Sequence, residues 1–338
     1  MNGLPAKTTA EALPDPVTTL MALAGNDMAR VETLLTERMG SPVALIPELA
    51  NWLVNAGGKR IRPLITVSAA RMLGYEGDGH LALAGAVEFI HTATLLHDDV
   101  VDDSALRRGK ESANQVWGNP HSVLVGDFLF AQAFTLMVDA RSLDALHVLS
   151  RAAAIIAEGE VRQLSMVRDI ATSREAYMEV IDAKTAALFA AAARVSPILA
   201  GRPKAEEDAL NTYGRELGLA FQLVDDALDY GGLAAILGKN TGDDFREGKI
   251  TLPVAIALER ASDEERAFWQ RTFVDGDQNE ADLDEAIAIL KHHGALDETL
   301  EAARGHAQNA RSALSVFPEN DWSQALSALA GFVVDRAY

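Results

Sequence analysis

Two Asp-Asp-x-x-Asp clusters, Asp98-Asp99-Val100-Val101-Asp102 and Asp225-Asp226-Ala227-Leu228-Asp229, sit inside otherwise apolar helical patterns in well-separated parts of the chain. A chain buries carboxylates reluctantly unless they have partners, so the helices that carry these clusters must converge on something positive. On a helix, residues i and i+4 share a face one turn apart. Asp98 and Asp102 therefore project together, with Asp99 about 100° around the axis; Asp225 and Asp229 repeat the pattern, with Asp226 beside them. Left bare, each cluster would weaken its own helix by like-charge repulsion. Oxygen-only ligand sets suit a hard divalent cation such as Mg²⁺. One such run alone is equally a solvated acidic face; two, each followed by basic residues, suit a polyanion held through several metal ions.

The formal net charge of -19, from 49 acidic against 30 basic residues, argues against nucleic acid as a partner. Basic residues that meet an anionic substrate must therefore be concentrated locally. There is no cysteine, which excludes disulfides, thiolate metal sites and a cysteine nucleophile and is compatible with a reducing compartment. Residues 1–16 lack the apolar run of a signal peptide and read as a flexible arm ahead of one domain spanning 17–338. No uninterrupted apolar run of about 18 residues occurs, so no membrane span is expected. These readings together predict a cytoplasmic location.

Apolar residues recur at i, i+3 and i+4 through most of the chain, and β-type alternation is scarce. Helices are predicted near 17–39, 45–54, 61–73, 78–103, 119–139, 142–168, 174–200, 205–230, 250–260, 263–274, 280–293, 296–315 and 320–336, with Gly- and Pro-rich breaks between several of them. The expected fold is all-α, a single large helical bundle around a deep central cavity, with the site between helices.

Basic residues gather in four places. Lys59, Arg60 and Arg62 lie between Gly57-Gly58 and Pro63; glycines allow close backbone approach, and Lys and Arg bind phosphate, although alone this is a solvated basic turn. Arg107-Arg108-Gly109-Lys110 follows the first acidic cluster, and arginine forks take phosphate oxygens in pairs. Lys184-Thr185 lies in an Ala- and Leu-rich helix, placed either to snorkel outward or to reach across a cavity. Lys239 and Lys249 flank Asp243-Asp244, with Gly238 and Gly242 marking a closing loop. His91 sits two turns before Asp98 on the same helix, where a satisfied core histidine and a binding residue are equally open readings.

The segments GGKRIRP, HDDVVDDSALRRG, GDFLFAQA, EGEVRQL, KTAALF, FQLVDDALDY and GKNTGDDFREGKITLP follow one another between residues 57 and 253. As an ordered set they closely resemble the trans-isoprenyl diphosphate synthases. The resemblance implies an all-α cavity fold, usually a homodimer, that condenses isopentenyl diphosphate with an allylic diphosphate using Mg²⁺, three ions when substrate is bound. It implies metal binding by Asp98, Asp99, Asp102, Asp225, Asp226 and Asp229. Arg107, Lys184 and Lys239 would meet the allylic diphosphate, Lys249 would bind substrate, Thr185 and Gln222 would line the reacting end, and Lys59, Arg62, His91 and Arg108 would hold isopentenyl diphosphate. Asp98, Asp102, Arg107, Lys184, Asp225 and Lys239 would form the catalytic set.

In that family, bulky residues four and five positions before the first cluster stop elongation; here they are Thr94 and Ala93, both small. Each helical turn rises about 5.4 Å, and Ala86, deeper on the helix, is small too. The floor is then expected on the next helix, at Phe134, Leu136 or Met137, with a product in the octaprenyl to decaprenyl range, as for quinone side chains. Such a product is nearly insoluble in water, so transient membrane-surface contact at release is expected. Three other readings remain. A short-chain farnesyl or geranylgeranyl synthase is disfavoured by Ala93 and Thr94. A class I terpene cyclase needs no Lys59/Arg62/Arg108 set, and a non-catalytic synthase subunit would be expected to have lost aspartates.

Overall fold

The computed structural model describes residues 15–55, 58–107, 110–231 and 242–335. Its first helix, α1 (Pro16–Arg38), starts where the Asp15 carboxylate accepts the Val17 N–H at 3.0 Å and Pro16 occupies the first turn. Residues 15 and 16 thus belong to the helix start rather than to an arm; residues 1–14 lie outside the described residues. α1 buries one stripe, Leu20, Ala24, Met28, Val31 and Leu35, at helical spacing.

The chain continues through α2 (Leu45–Asn55), α3 (Ile61–Met72) and α4 (Gly79–Val101). A two-strand ribbon follows, β1 (Leu106–Arg107) antiparallel to β2 (Lys110–Glu111). Then come α5 (Ala113–Trp117), α6 (Asn119–Asp139), α7 (Leu143–Met166) and α8 (Arg174–Ile181), the last running through a π-helical turn (Asp182–Ala186) into α9 (Ala187–Leu199). The second half comprises α10 (Lys204–Tyr230), α11 (Asp243–Glu247), α12 (Leu252–Arg260), α13 (Asp263–Trp269), α14 (Asp282–His292), α15 (Ala295–Ala313) and α16 (Asp321–Asp335). The ribbon, α5, α11 and the π turn were not among the elements expected; each is too short for its periodicity to show.

A continuous apolar core runs from Val17 to Val334. α4 lies along α6, and α10 lies between α9 and α15. Glycines let backbones meet around the π turn. A Cβ at Gly218 of α10 would stand 2.7 Å from the Ala186 Cα, and one at Gly159 of α7 would stand 2.8 Å from the Ala183 Cβ. The π turn that carries Lys184 and Thr185 is thus pressed between α7 and α10.

Contrary to the expectation of no membrane-length segment, α4 and α6 are each long and apolar enough to span a bilayer. α4 is mostly buried as a core helix, whereas α6 buries Val125, Leu129, Ala133, Leu136 and Met137 and leaves several apolar side chains of another face exposed. Leu124 is 65% and Val138 62% exposed.

Candidate active site

The two acidic clusters end up on facing walls, at the C-terminal ends of α4 and α10. On the first wall, Asp98 and Asp102 are half-buried and Asp99 is fully buried. Burial lifts Asp98 to about 6; Lys184 opposes the shift, while Glu160 and Asp102 add to it. The Lys184 ammonium lies 2.7 Å from Glu160 and 3.8 Å from Asp98. The Lys249 ammonium lies 2.9 Å from Asp102 and 2.5 Å from Glu247. Burial works to lower Lys249, but the two carboxylates outweigh it and hold the ammonium above its ordinary value.

Asp99, expected as a metal ligand, is otherwise engaged. Its carboxylate takes Arg107 at 2.6–3.0 Å and its carbonyl accepts the Asn114 amide at 3.0 Å. It fastens the ribbon to α4, because the side chain one position round the axis from Asp98 turns into the core. Arg107 meets Asp99 on one side and lines a small cleft with Arg60, Glu88 and His91 on the other.

On the second wall, Asp225 is half-buried. Asp226 is fully enclosed: Tyr177 OH donates to one oxygen and Gln222 Nε2 to the other at 2.9 Å. Burial pushes Asp226 up to about 7 against those two bonds. Asp229 accepts the N–H groups of Asp243 and Asp244 at 3.2 and 3.1 Å, so its carboxylate caps α11. Of the six expected ligands, Asp98 and Asp102 meet lysine ammonium groups, whereas Asp99, Asp226 and Asp229 accept hydrogen bonds from Arg107, from Tyr177 and Gln222, and from the α11 backbone. Thr185 donates to Gln222 Oε1 at 2.8 Å, and both line this cavity with Lys184, Asp226, Asp244 and Lys249.

Arg62 is stacked over Phe189 at 4.3 Å and meets His91 Nε2 at 3.2 Å. Burial lowers it to about 10, opposed by Glu88 and Asp225. Its Nε–H is buried without a partner among the described residues, an orphan donor that an anion would satisfy. Arg60, in a left-handed conformation (φ 46°), instead points to Glu32 and Glu88 and ties α3 to α1 and α4. Lys59 is exposed, 5.2 Å over the Phe332 ring of α16. Arg108 and Lys239 lie outside the described residues, as does most of the expected closing loop.

Of the chain-length positions, Ala93 is fully buried, and Thr94 is half-buried with its hydroxyl on the His91 carbonyl at 2.8 Å. Phe134 does not suit a floor: it is 38% exposed, edge-on to Phe130 on the outer side of α6. Leu136 and Met137, about 200° and 300° further round that helix, are fully buried.

Sequence reasoning did not single out Glu160, Tyr177 or Glu247. Glu160 lies within a quoted motif, and an apolar helix bearing Lys184 needs a counter-charge; Tyr177 carries no local signal.

The Polyprenyl synthetase family model matches residues 43–290. An octaprenyl diphosphate synthase from Haemophilus influenzae is 47% identical over 319 residues, covering 94% of this chain and 97% of that one. The Escherichia coli octaprenyl diphosphate synthase is 48% identical over 314 residues, covering 93% and 97%. A polyprenyl synthase structure from Caulobacter crescentus, complexed with calcium and isoprenyl diphosphate, superposes with TM-score 0.92 at 55% identity, covering 95% of this chain and 98% of that one. A decaprenyl diphosphate synthase from Rhodobacter capsulatus superposes with TM-score 0.92 at 51% identity, covering 96% and 100%. This chain belongs to the polyprenyl synthetase family and is a prenyltransferase.

Proposed function

We propose that this chain is a trans-polyprenyl diphosphate synthase that adds isopentenyl diphosphate repeatedly to an allylic diphosphate, to octaprenyl or decaprenyl length. The observation that carries the reaction is the pairing of facing acidic walls with two lysines, Lys184 and Lys249, seated beside Asp98 and Asp102. Relatives of that product class, matched along nearly their whole length, support the chain length.

Asp98, Asp102 and Asp225 would hold Mg²⁺, as burial leaves Asp98 short of positive charge; the donor set is all oxygen, as that ion requires. When bound, the ion supplies charge neutralisation of the diphosphate. Lys184, Lys249 and Arg107 bind its oxygens and stabilise it as a leaving group. The allylic C–O bond breaks, and diphosphate departs with the electron pair. The double bond of isopentenyl diphosphate, oriented by Arg62, His91 and Lys59, then forms the new C–C bond. A proton leaves the adjacent carbon for a diphosphate oxygen, restoring neutrality at the chain. Thr185 and Gln222 line the reacting end and exclude water that would quench the cation.

The test is incubation with farnesyl diphosphate, excess isopentenyl diphosphate and Mg²⁺, with products measured by mass spectrometry. A ladder ending at eight to ten isoprene units is expected; termination at four overturns the length, and no condensation overturns the function. The open apolar face of α6, with Leu124 and Val138 outermost, supports a homodimer built on that face, the net charge of -19 opposing an anionic membrane there. Leu124→Glu should give a monomer in sedimentation. A cytoplasmic location, product release by transient membrane contact and use of the product in quinone side chains complete the reading.

A further inference from the structure

Tyr177, Asp226, Gln222 and Thr185 form one hydrogen-bonded chain in which, with Asp226 ionised, every donor and acceptor is assigned by the next. Asp226 accepts at both oxygens, from Tyr177 OH and from Gln222 Nε2 at 2.9 Å. With its NH₂ turned to Asp226, Gln222 has only its carbonyl left for Thr185, and the Thr185 hydroxyl must donate to it, at 2.8 Å. The proton of Thr185 is thereby spent inside the wall, and its lone pairs are left to the cavity that both residues line. Tyr177, Asp226 and Thr185 are each more than nine-tenths buried. The fold holds the chain in register: Gln222 and Asp226 are one turn apart on α10, and the π turn carries Thr185 round to face them.

We propose that Tyr177 is a positioning residue for prenyl transfer: by fixing Asp226, and through it the Gln222 amide, it makes Thr185 present oxygen rather than hydrogen to the allylic cation. Without the tyrosine hydroxyl, Asp226 has an orphan oxygen and freedom to rotate. The Gln222 amide can then reverse, Thr185 becomes an acceptor, and its proton turns toward the positive charge. The inference rests on the prenyltransferase reading, and deepens it by naming what sets the polarity of the reacting end.

The test measures binding to the full chain by titration calorimetry with Mg²⁺ present. Two allylic diphosphate analogues are compared: an unreactive neutral thiolo-diphosphate, and one carrying an ammonium at the position where the cation forms. Wild type should prefer the ammonium analogue. Tyr177→Phe should lose about tenfold of that preference, the scale of a hydrogen bond to a charged group, while neutral-analogue affinity changes less than about twofold. In turnover, kcat should fall with KM for both substrates unchanged. Thr185→Val should lose the same preference, and adding Tyr177→Phe to it should cost nothing more. Tyr213→Phe removes a similarly buried hydroxyl bonded to the Leu326 carbonyl; it should lower the melting temperature and leave the preference intact. Equal weakening of both analogues by Tyr177→Phe, an unchanged preference, or additive losses in the double variant overturns the relay. If wild type binds neither analogue and forms no product, the prenyltransferase reading falls first and the relay with it.

Discussion

Replacing Gly159 with alanine should disable the enzyme while leaving it folded. Gly159 lies on α7 where the π turn crosses it: a Cβ there would stand 2.8 Å from the Ala183 Cβ and 3.0 Å from the Lys184 backbone nitrogen. Ordinary carbon contacts are about 3.5–4.0 Å, so the turn must retreat by about 0.7–1.2 Å. That retreat moves Lys184, whose ammonium now sits 2.7 Å from Glu160 and 3.8 Å from Asp98, together with Thr185. A misplacement of about 1 Å in reacting groups costs about 10²-fold in rate. Stability should change far less: overpacking costs about 1–3 kcal/mol, and alanine in a helix interior recovers about 1 kcal/mol relative to glycine. The expected result is a loss of kcat approaching a hundredfold with a melting temperature only a few degrees lower. Gly25→Ala is the matched control, since nothing lies within 4 Å of a Cβ at that exposed site on α1; it should stabilise slightly and leave kcat unchanged. A folded Gly159→Ala protein with kcat within twofold of wild type would show that the close approach does not set the Lys184 geometry.

Two further perturbations test other parts of the molecule. Arg62→Lys keeps the charge but loses the planar stack on Phe189 and the fork, so KM for isopentenyl diphosphate should rise about tenfold with the allylic KM unmoved in two-substrate kinetics. Glu216 is bonded to His306 at 2.8 Å and Asn309 at 3.1 Å between α10 and α15; the His306 bond, with Asn309 assisting against burial, holds its carboxyl below the usual value of 4.5. A carboxyl lower in the folded than the unfolded state adds stability above the unfolded value, and that stability is lost as pH falls through the folded one. Urea midpoints should therefore fall more steeply below about pH 4.5 in wild type than in Glu216→Gln.

The long helices were legible because each carries several turns of apolar periodicity. α10, whose buried residues Leu210, Tyr213, Leu217, Val224 and Leu228 recur at helical spacing, needed nothing else. What stayed hidden depends on contacts between segments distant in sequence. The π turn inserts one residue into a helix that reads as continuous from 174 to 200, and it sits where Gly159 and Gly218 let α7 and α10 approach on either side. Phe134 misled because two residues along α6 separate the outer face from the buried one, where Leu136 lies. Whether Thr94 and Ala93 face a channel depends on helix rotation, which residue size does not reveal.

The charged motifs show the same division inside single segments. In the basic segment, Arg62 keeps an unpartnered donor in the site, whereas Arg60, two residues away, is consumed by Glu32 and Glu88. In the first acidic cluster, Asp98 and Asp102 hold lysines across the cavity while Asp99 braces Arg107. In the second, Asp226 and Asp229 anchor Tyr177, Gln222 and α11, and Asp225 is half-buried beside them on the same helix. A helix that exposes two carboxylates to a cavity presents the intervening one to its neighbours, where burial demands a hydrogen-bond partner. The charges not aimed at substrate thus stiffen the walls that aim the others, so a neutral substitution at Asp99 or Asp226 perturbs the site by loosening a wall rather than by removing a ligand.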